Sequence, residues 1–312
     1  MNRRPVIIDC DPGIDDAMAL LAAFRAPELD IRAITPVAGN VPLRYTAPNT
    51  LKILALGGRE DIPVYPGADR PLTGQVREAS EVHGADGLMG WPMPEPKSVL
   101  REEKAWDIIY REARALAGDL EIVATGPLTN LAIALARYPD LPQYVKKMTV
   151  MGGGACFGNA TPAAEFNIYA DPEAAEMVFR SGIPITLCGL DVCHRAHLTE
   201  AEVEALETLG TVQAAFCAAL SRQELSWAVP YGTPGAPMHD PCAMLCAIDP
   251  TLFTSVHCWV GVERAGVHTR GKTVTDAFSD AKRTPNTDLV LDVDRPRFVR
   301  RLLDLLGEYG GA

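Results

Sequence analysis

The sequence predicts an α/β fold: a mostly parallel central sheet flanked by helices, Rossmann-like, in a single domain spanning residues 1–312, with its site at the strand carboxyl ends. Three observations lead there. Short apolar runs of strand length alternate with helically spaced segments over the first 190 residues, the pattern of successive βαβ units. Polar clusters directly follow several of the strand runs, where open parallel sheets hold their ligands. No repeat or low-complexity tract divides the chain, and the Gly/Pro-rich stretches 64–74, 84–96 and 230–237 read as long loops inside one domain.

Residues 5–10 form the first buried-strand pattern, and 15–25 have the apolar spacing of a helix that Pro27 ends. Strand 29–37 and helix 45–56 follow, then a short strand at 62–65. A helix over 102–117, a strand over 120–124 and a helix over 128–136 make the next unit. Strand 148–151 runs into Gly152-Gly153-Gly154, which leaves room for close backbone approach to a small ligand. Helix 172–180 and strand 183–188 complete the alternation. Helices at 200–209 and 212–225, strands at 256–262 and 289–293, and an amphipathic helix at 296–306 close the chain.

Composition narrows the function. Apolar residues make up 47% and charged residues 22%, so the chain can bury a large core. A net charge of −11 argues against a nucleic-acid binder and against adhesion to anionic membranes. No apolar run reaches the roughly 18–20 residues of a membrane span, and the apolar stretch at 6–8 is too short for a secretory signal. Eight cysteines without a CxxC pair read as buried free thiols, and the protein is expected in the cytoplasm. Cys188, Cys193, His194 and His197 do not have the spacing of a structural zinc site.

The densest chemical signal is Asp9-Cys10-Asp11-Pro12-Gly13-Ile14-Asp15-Asp16, with no Lys or Arg between Arg4 and Arg25. Helix capping accounts for one or two of these carboxylates. Four together without a cation would repel one another and resist ionisation, a conflict that a bound divalent ion resolves. All-oxygen ligands suit Ca²⁺ or Mg²⁺ rather than zinc. The spacing is not that of an EF-hand, because Ile14 and Leu20 stand where that loop needs Gly and Glu.

Other polar groups fall at the same sheet edge. Val37-Ala38-Gly39-Asn40 and Thr125-Gly126-Pro127-Leu128-Thr129-Asn130 each follow a strand; local helix capping is one reading of Thr129 and Asn130, and the one expected of Asn130. In extended chain Glu165 and Asn167 point the same way, a pairing that suits sugar hydroxyls, which both donate and accept, and equally an exposed polar loop. Asp240 is expected to cap a helix that starts at Pro241, and His239 and His83 are candidate proton carriers.

With Met151-Gly-Gly-Gly154, Gly158-Asn-Ala-Thr161, His83-Gly-Ala-Asp-Gly87, Asp171-Pro-Glu-Ala-Ala175 and His239-Asp-Pro241 in order, the chain resembles the nucleoside N-ribohydrolase family of the inosine–uridine-preferring type over nearly its whole length. The resemblance implies cleavage of the N-glycosidic bond of ribonucleosides to free base and ribose through an oxocarbenium-like transition state. It implies Ca²⁺ held by Asp11, Asp16, the Thr125 carbonyl and Asp240, with Asp11 as general base on a water. It places Asp15, Asn40, Glu165 and Asn167 on ribose hydroxyls, Asn159 and Met151 near the ring, and His239 on the leaving base. His83 matches a loop histidine near the base, and Trp227 and Tyr231 are candidates to stack on it. Family members assemble as homodimers or homotetramers. Two rivals remain at this point. One is a Mg²⁺-dependent phosphohydrolase, suggested by an Asp-x-Asp after a strand; the other is a non-catalytic protein that binds ribose or Ca²⁺.

Overall fold

A computed structural model describes residues 3–228, 233–280 and 283–311. The strands are β1 (Arg4–Cys10), β2 (Leu29–Pro36), β3 (Leu120–Ala124), β4 (Val145–Met151), β5 (Ile185–Cys188), β6 (His197–Leu198), β7 (Ala236–Pro237), β8 (Phe253–Cys258), β9 (Val260–Val262), β10 (Thr273–Thr275) and β11 (Thr287–Val293). The α-helices are α1 (Ile14–Phe24), α2 (Leu43–Gly57), α3 (Ser80–His83), α4 (Ala105–Ala115), α5 (Thr129–Arg137), α6 (Phe166–Ala170), α7 (Pro172–Phe179), α8 (Leu190–Cys193), α9 (Glu200–Thr208), α10 (Val212–Ala228), α11 (Asp240–Ile248) and α12 (Arg295–Gly307).

Among the described residues, seven strands make the main sheet in the order β2-β1-β3-β4-β5-β11-β8, all parallel except β8, which runs antiparallel to β11. The predicted mostly parallel α/β architecture is therefore what forms. Strand alternation divides the apolar side chains between two faces. Val6, Ile8 and Cys10 join α1, α11 and α12 in one core, while Ile7, Ile122 and Ala124 join α4, α5 and α7 in the other. Nearly all of α1 is buried, and its Leu20 and Leu21 stabilise the fold by about 1.5–3 kcal/mol each.

Register positions the site. Asp9 pairs with Thr35 on one side and Ala124 on the other, Ala124 with Val150, and Met151 with Cys188. The segments leaving β1, β2, β3 and β4 thus emerge together at one edge.

Two predicted strands differ. Residues 62–65 form only an isolated bridge, Val64 to Ile34, because Pro63 and Pro66 cannot donate to a ladder. The run 256–262 is not one strand. It breaks at Trp259, so that β8 edges the main sheet while β9 pairs with β10 in a separate hairpin. The eight cysteines are free thiols, buried except for Cys156.

Candidate active site

Asp11 is the first residue beyond β1. Its Oδ2 accepts the Asn40 main-chain N–H at 2.7 Å, while its Oδ1 is buried without a hydrogen-bond partner. Gly39 and Gly126 leave the space it occupies: a Cβ at Gly126 would stand 2.6 Å from Oδ1, and one at Gly39 would overlap Oδ2. The chain then turns through Gly13 into α1. Asp16 accepts from Gly13 N–H at 3.0 Å, Asn40 Nδ2 at 3.1 Å and the Thr125 hydroxyl at 2.8 Å. Capping therefore uses part of Asp16, but Thr125 and Asn40, from two other strand ends, hold it as well.

Asp9 does not join this group. Its Oδ2 accepts from the Thr35 hydroxyl at 2.7 Å and from Asn130 Nδ2 at 2.8 Å, beneath the site. Asn130 also accepts the Ala68 N–H at 2.8 Å, so it ties β1 to the loop after β2 and is not the local cap expected of it. Thr129 likewise donates to Asp171 at 2.7 Å. The N-cap of α5 is Leu128, without a side-chain bond.

The fourth acid comes from far along the chain. Asp240 is the first residue of α11, with His239 at the N-cap, so the expected cap is displaced by one position because Asp240 already has helical backbone. Carboxylate oxygens of Asp15, Asp16 and Asp240 lie within 4.8 Å of one another. Asp15 thus completes this three-carboxylate group, and Asp11 adjoins it through the charge of Asp16. Burial, followed by the charge of Asp15, raises Asp16 to about 7 and pushes Asp240 well up; burial and then Asp16 do the same to Asp11. No cation figures among the main influences on these three. Crowded carboxylate oxygens, an Asp11 Oδ1 without a hydrogen-bond partner and a glycine cradle around it suit a hard cation, so the residues fit a divalent metal. The Thr125 carbonyl sits at the same edge and accepts from Asn167 Nδ2 at 2.7 Å.

Glu165 is not followed by extended chain. It is the N-cap of α6, and its carboxylate accepts from Asn167, Ile168 and Gly153 N–H groups at 2.9, 3.2 and 2.7 Å. The expected extended 165–167 segment fails because those helix-terminal amides need an acceptor. The glycine run after β4 serves the same end, since Gly153, at φ +66°, aims its N–H at Glu165. Burial nevertheless raises Glu165 to about 7. Asn167 Nδ2 also lies 3.3 Å from both the carbonyl and the sulfur of Met151, and Asn159 accepts the Phe166 N–H at 2.9 Å.

These groups line one cavity of about 510 Å³. Asp15, Asn40, His83, Thr125, Met151, Asn159, Glu165, Asn167, His239 and Asp240 all face it, while Asp11 and Asp16 are fully buried and do not. His83 Nδ1 accepts the Ile14 N–H at 3.1 Å, which leaves its proton on Nε2 as a donor. Asp15 stands 4.0 Å from His83 Nδ1 and 3.8 Å from His239 Nδ1. Burial lowers both histidines, and the Asp15 charge opposes it. Of the two aromatic candidates, Tyr231 and the side chain of Trp227 lie outside the described residues.

The cavity also contains residues that sequence reasoning missed. His194, read there only as an unfit zinc ligand, packs its ring 4.9 Å from Phe157 and is lowered to about 4 by burial and then by His239. Glu224, on α10, faces the cavity and is raised to about 8 by burial and then by Asp15. Arg77 lies over the Tyr169 ring at 4.1 Å. No local signal in the sequence marks Glu224 or Arg77.

Comparison with known proteins bears on this site. The model of the family described as inosine-uridine preferring nucleoside hydrolase matches residues 6–300. The pyrimidine-specific ribonucleoside hydrolase RihA of Photobacterium profundum is 44% identical over 312 residues, covering 98% of this chain and 99% of the relative. A plant nucleoside hydrolase, PpNRh1, superposes with a TM-score of 0.90 at 34% identity, over 98% of this chain and 99% of its own. The purine-preferring ribonucleoside hydrolase from Gardnerella vaginalis superposes with a TM-score of 0.91 at 31% identity, with the same coverage.

Proposed function

Because the chain belongs to the inosine–uridine-preferring nucleoside hydrolase family, we propose how its own residues carry out the family reaction and on which substrates. That reaction is hydrolysis of the N-glycosidic bond of a ribonucleoside to base and ribose, and membership displaces both the phosphohydrolase and the non-catalytic readings.

Asp11, Asp16, the Thr125 carbonyl and Asp240 would hold the metal, with Asp15 beside them, and the hard oxygen set favours Ca²⁺. Such an ion, when bound, offsets the carboxylate charge and lowers the pKa of water beside it. The observation that carries the reading is Asp11 Oδ1: its partner oxygen is locked by Asn40, the glycines hold it in place, and it alone is free to take a proton.

Asp15, Asn40, Glu165 and Asn167 hold the ribose hydroxyls, with Met151 and Asn159 against the ring. Their carboxylates face the sugar, where positive charge develops as the glycosidic bond breaks. Asp11 removes the proton of the attacking water, so the product forms by direct displacement with inversion. His239 delivers a proton or hydrogen bond to the departing base, and burial makes its protonated form the stronger acid. His83 offers Nε2–H beside it. Trp227 and Tyr231 remain candidates to stack on the base.

Pyrimidine ribonucleosides are the proposed substrates. The relative named pyrimidine-specific is 44% identical, the one named purine-preferring 31%. Free thiols and the lack of any helix long and apolar enough to cross a membrane, among the described residues, support a cytosolic enzyme. Assembly as a homodimer or homotetramer follows the family resemblance.

A reducing-sugar assay over ribo- and deoxyribonucleosides tests the whole. Uridine and cytidine release ribose, chelation abolishes the release, Ca²⁺ restores it, and deoxy substrates fail. Full activity after exhaustive chelation overturns the metal assignment.

A further inference from the structure

We propose that Glu224 reads the base: its carboxyl accepts a hydrogen bond from the N–H on the pyrimidine edge, N3–H of uracil or the exocyclic N4–H of cytosine, and so determines base specificity. The inference rests on the function proposed above. Glu224 projects from α10 into the cavity that holds the ribose-facing groups, yet it makes no hydrogen bond or ion pair with any described residue. On its other side it borders a small cleft lined by Ile14, Met18, Leu220, Pro237, Met238 and Pro241, with two polar residues, Asp15, itself an acid, and Ser221, whose hydroxyl donates to the Cys217 carbonyl. A carboxyl half-buried in a binding cavity, with no partner among the described residues, is placed to take one from a ligand that displaces solvent there.

Its neighbours explain why the partner is the base. Glu224 is not part of the carboxylate group that can reach a common ion. The ribose hydroxyls already have Asp15, Asn40, Glu165 and Asn167. At the base end, His83 presents only a donor, because Nδ1 is taken by Ile14. A pyrimidine with both N–H and C=O on its edge needs an acceptor as well, and Glu224 supplies it whether or not it is ionised. Its rise to about 8 adds an O–H that can donate to O4 or N3.

The test compares kcat/KM for uridine and 3-methyluridine, in which a methyl replaces the N3 proton. The native enzyme favours uridine by about ten-fold or more. In Glu224→Ala the ratio falls toward one, whereas Glu224→Gln, which keeps an acceptor oxygen, retains it. Should the alanine variant not fold, Glu224→Leu extends the apolar lining and gives the same loss. Ribose release with an unchanged ratio in the alanine or leucine variant overturns this inference alone. No ribose release from any ribonucleoside by the native enzyme overturns the proposed function and this inference with it.

Discussion

The carboxylate floor, part of it buried beneath the cavity, and the histidine wall beside it are built in opposite ways. On the floor, Asp11, Asp16 and Glu165 are fastened by main-chain N–H groups and by side chains from neighbouring strand ends, at 2.7–3.2 Å. At the wall, His83, His194, His239 and Glu224 come from four separate segments. They interact through a ring contact and charge more than through mutual hydrogen bonds. A floor tied to the backbone is a property of the fold and suits the constant part of the substrate, the ribose. A wall of loosely linked side chains can change without disturbing the sheet, and suits the part that varies, the base.

That contrast makes graded predictions. Asp11→Asn is the most severe test of the floor. It is isosteric and removes a buried charge from a crowded group, so the fold persists by circular dichroism while kcat falls by about 10²–10⁴-fold. An unchanged kcat removes Asp11 as base. His239→Ala tests the wall and has a smaller, substrate-dependent effect: about 10²-fold on uridine and much less on a nitrophenyl riboside, whose leaving group needs no proton. Equal slowing of both substrates removes the acid role.

The smallest effect concerns stability. Glu165 is raised from 4.5 in free solution to about 7, so the folded state holds its proton over a range where the unfolded chain has lost it. Its contribution is therefore full below about pH 4.5 and lost as the pH rises through about 7. In chelated protein the Tm should fall between pH 5 and 8, and the fall should be shallower in Glu165→Gln. Parallel melting curves across that range for the two proteins contradict the assignment.

Legibility follows the same division. The acidic motif was readable because its residues are contiguous and no cation lies among them. Their separate roles were not: Asp9 and Asp11 share a strand face by periodicity, but β1 ends at Cys10, leaving Asp9 under Asn130 and Asp11 at the edge. Asn130 looked like a cap because capping is local, whereas its partners Asp9 and Ala68 lie far away in sequence. Glu165 and Asn167 line the cavity on a short helix and not on the extended chain expected, since a five-residue helix carries too little periodicity to be seen. Glu224 was invisible because a polar residue on a helix reads the same whether it faces water or a cavity, and α10 has no clear apolar stripe to tell its faces apart.

From sequence alone came the alternating strands and helices, the family resemblance and the carboxylates at the first strand's end. These depend on hydrophobic period and local composition, which neighbouring residues carry. Only the folded chain decided that Asp240 meets Asp15 and Asp16, that Asp11 keeps one oxygen free, and that Glu224 looks into the cavity. Those outcomes depend on how distant segments meet at the sheet edge, where packing and desolvation, not local propensity, set the neighbours.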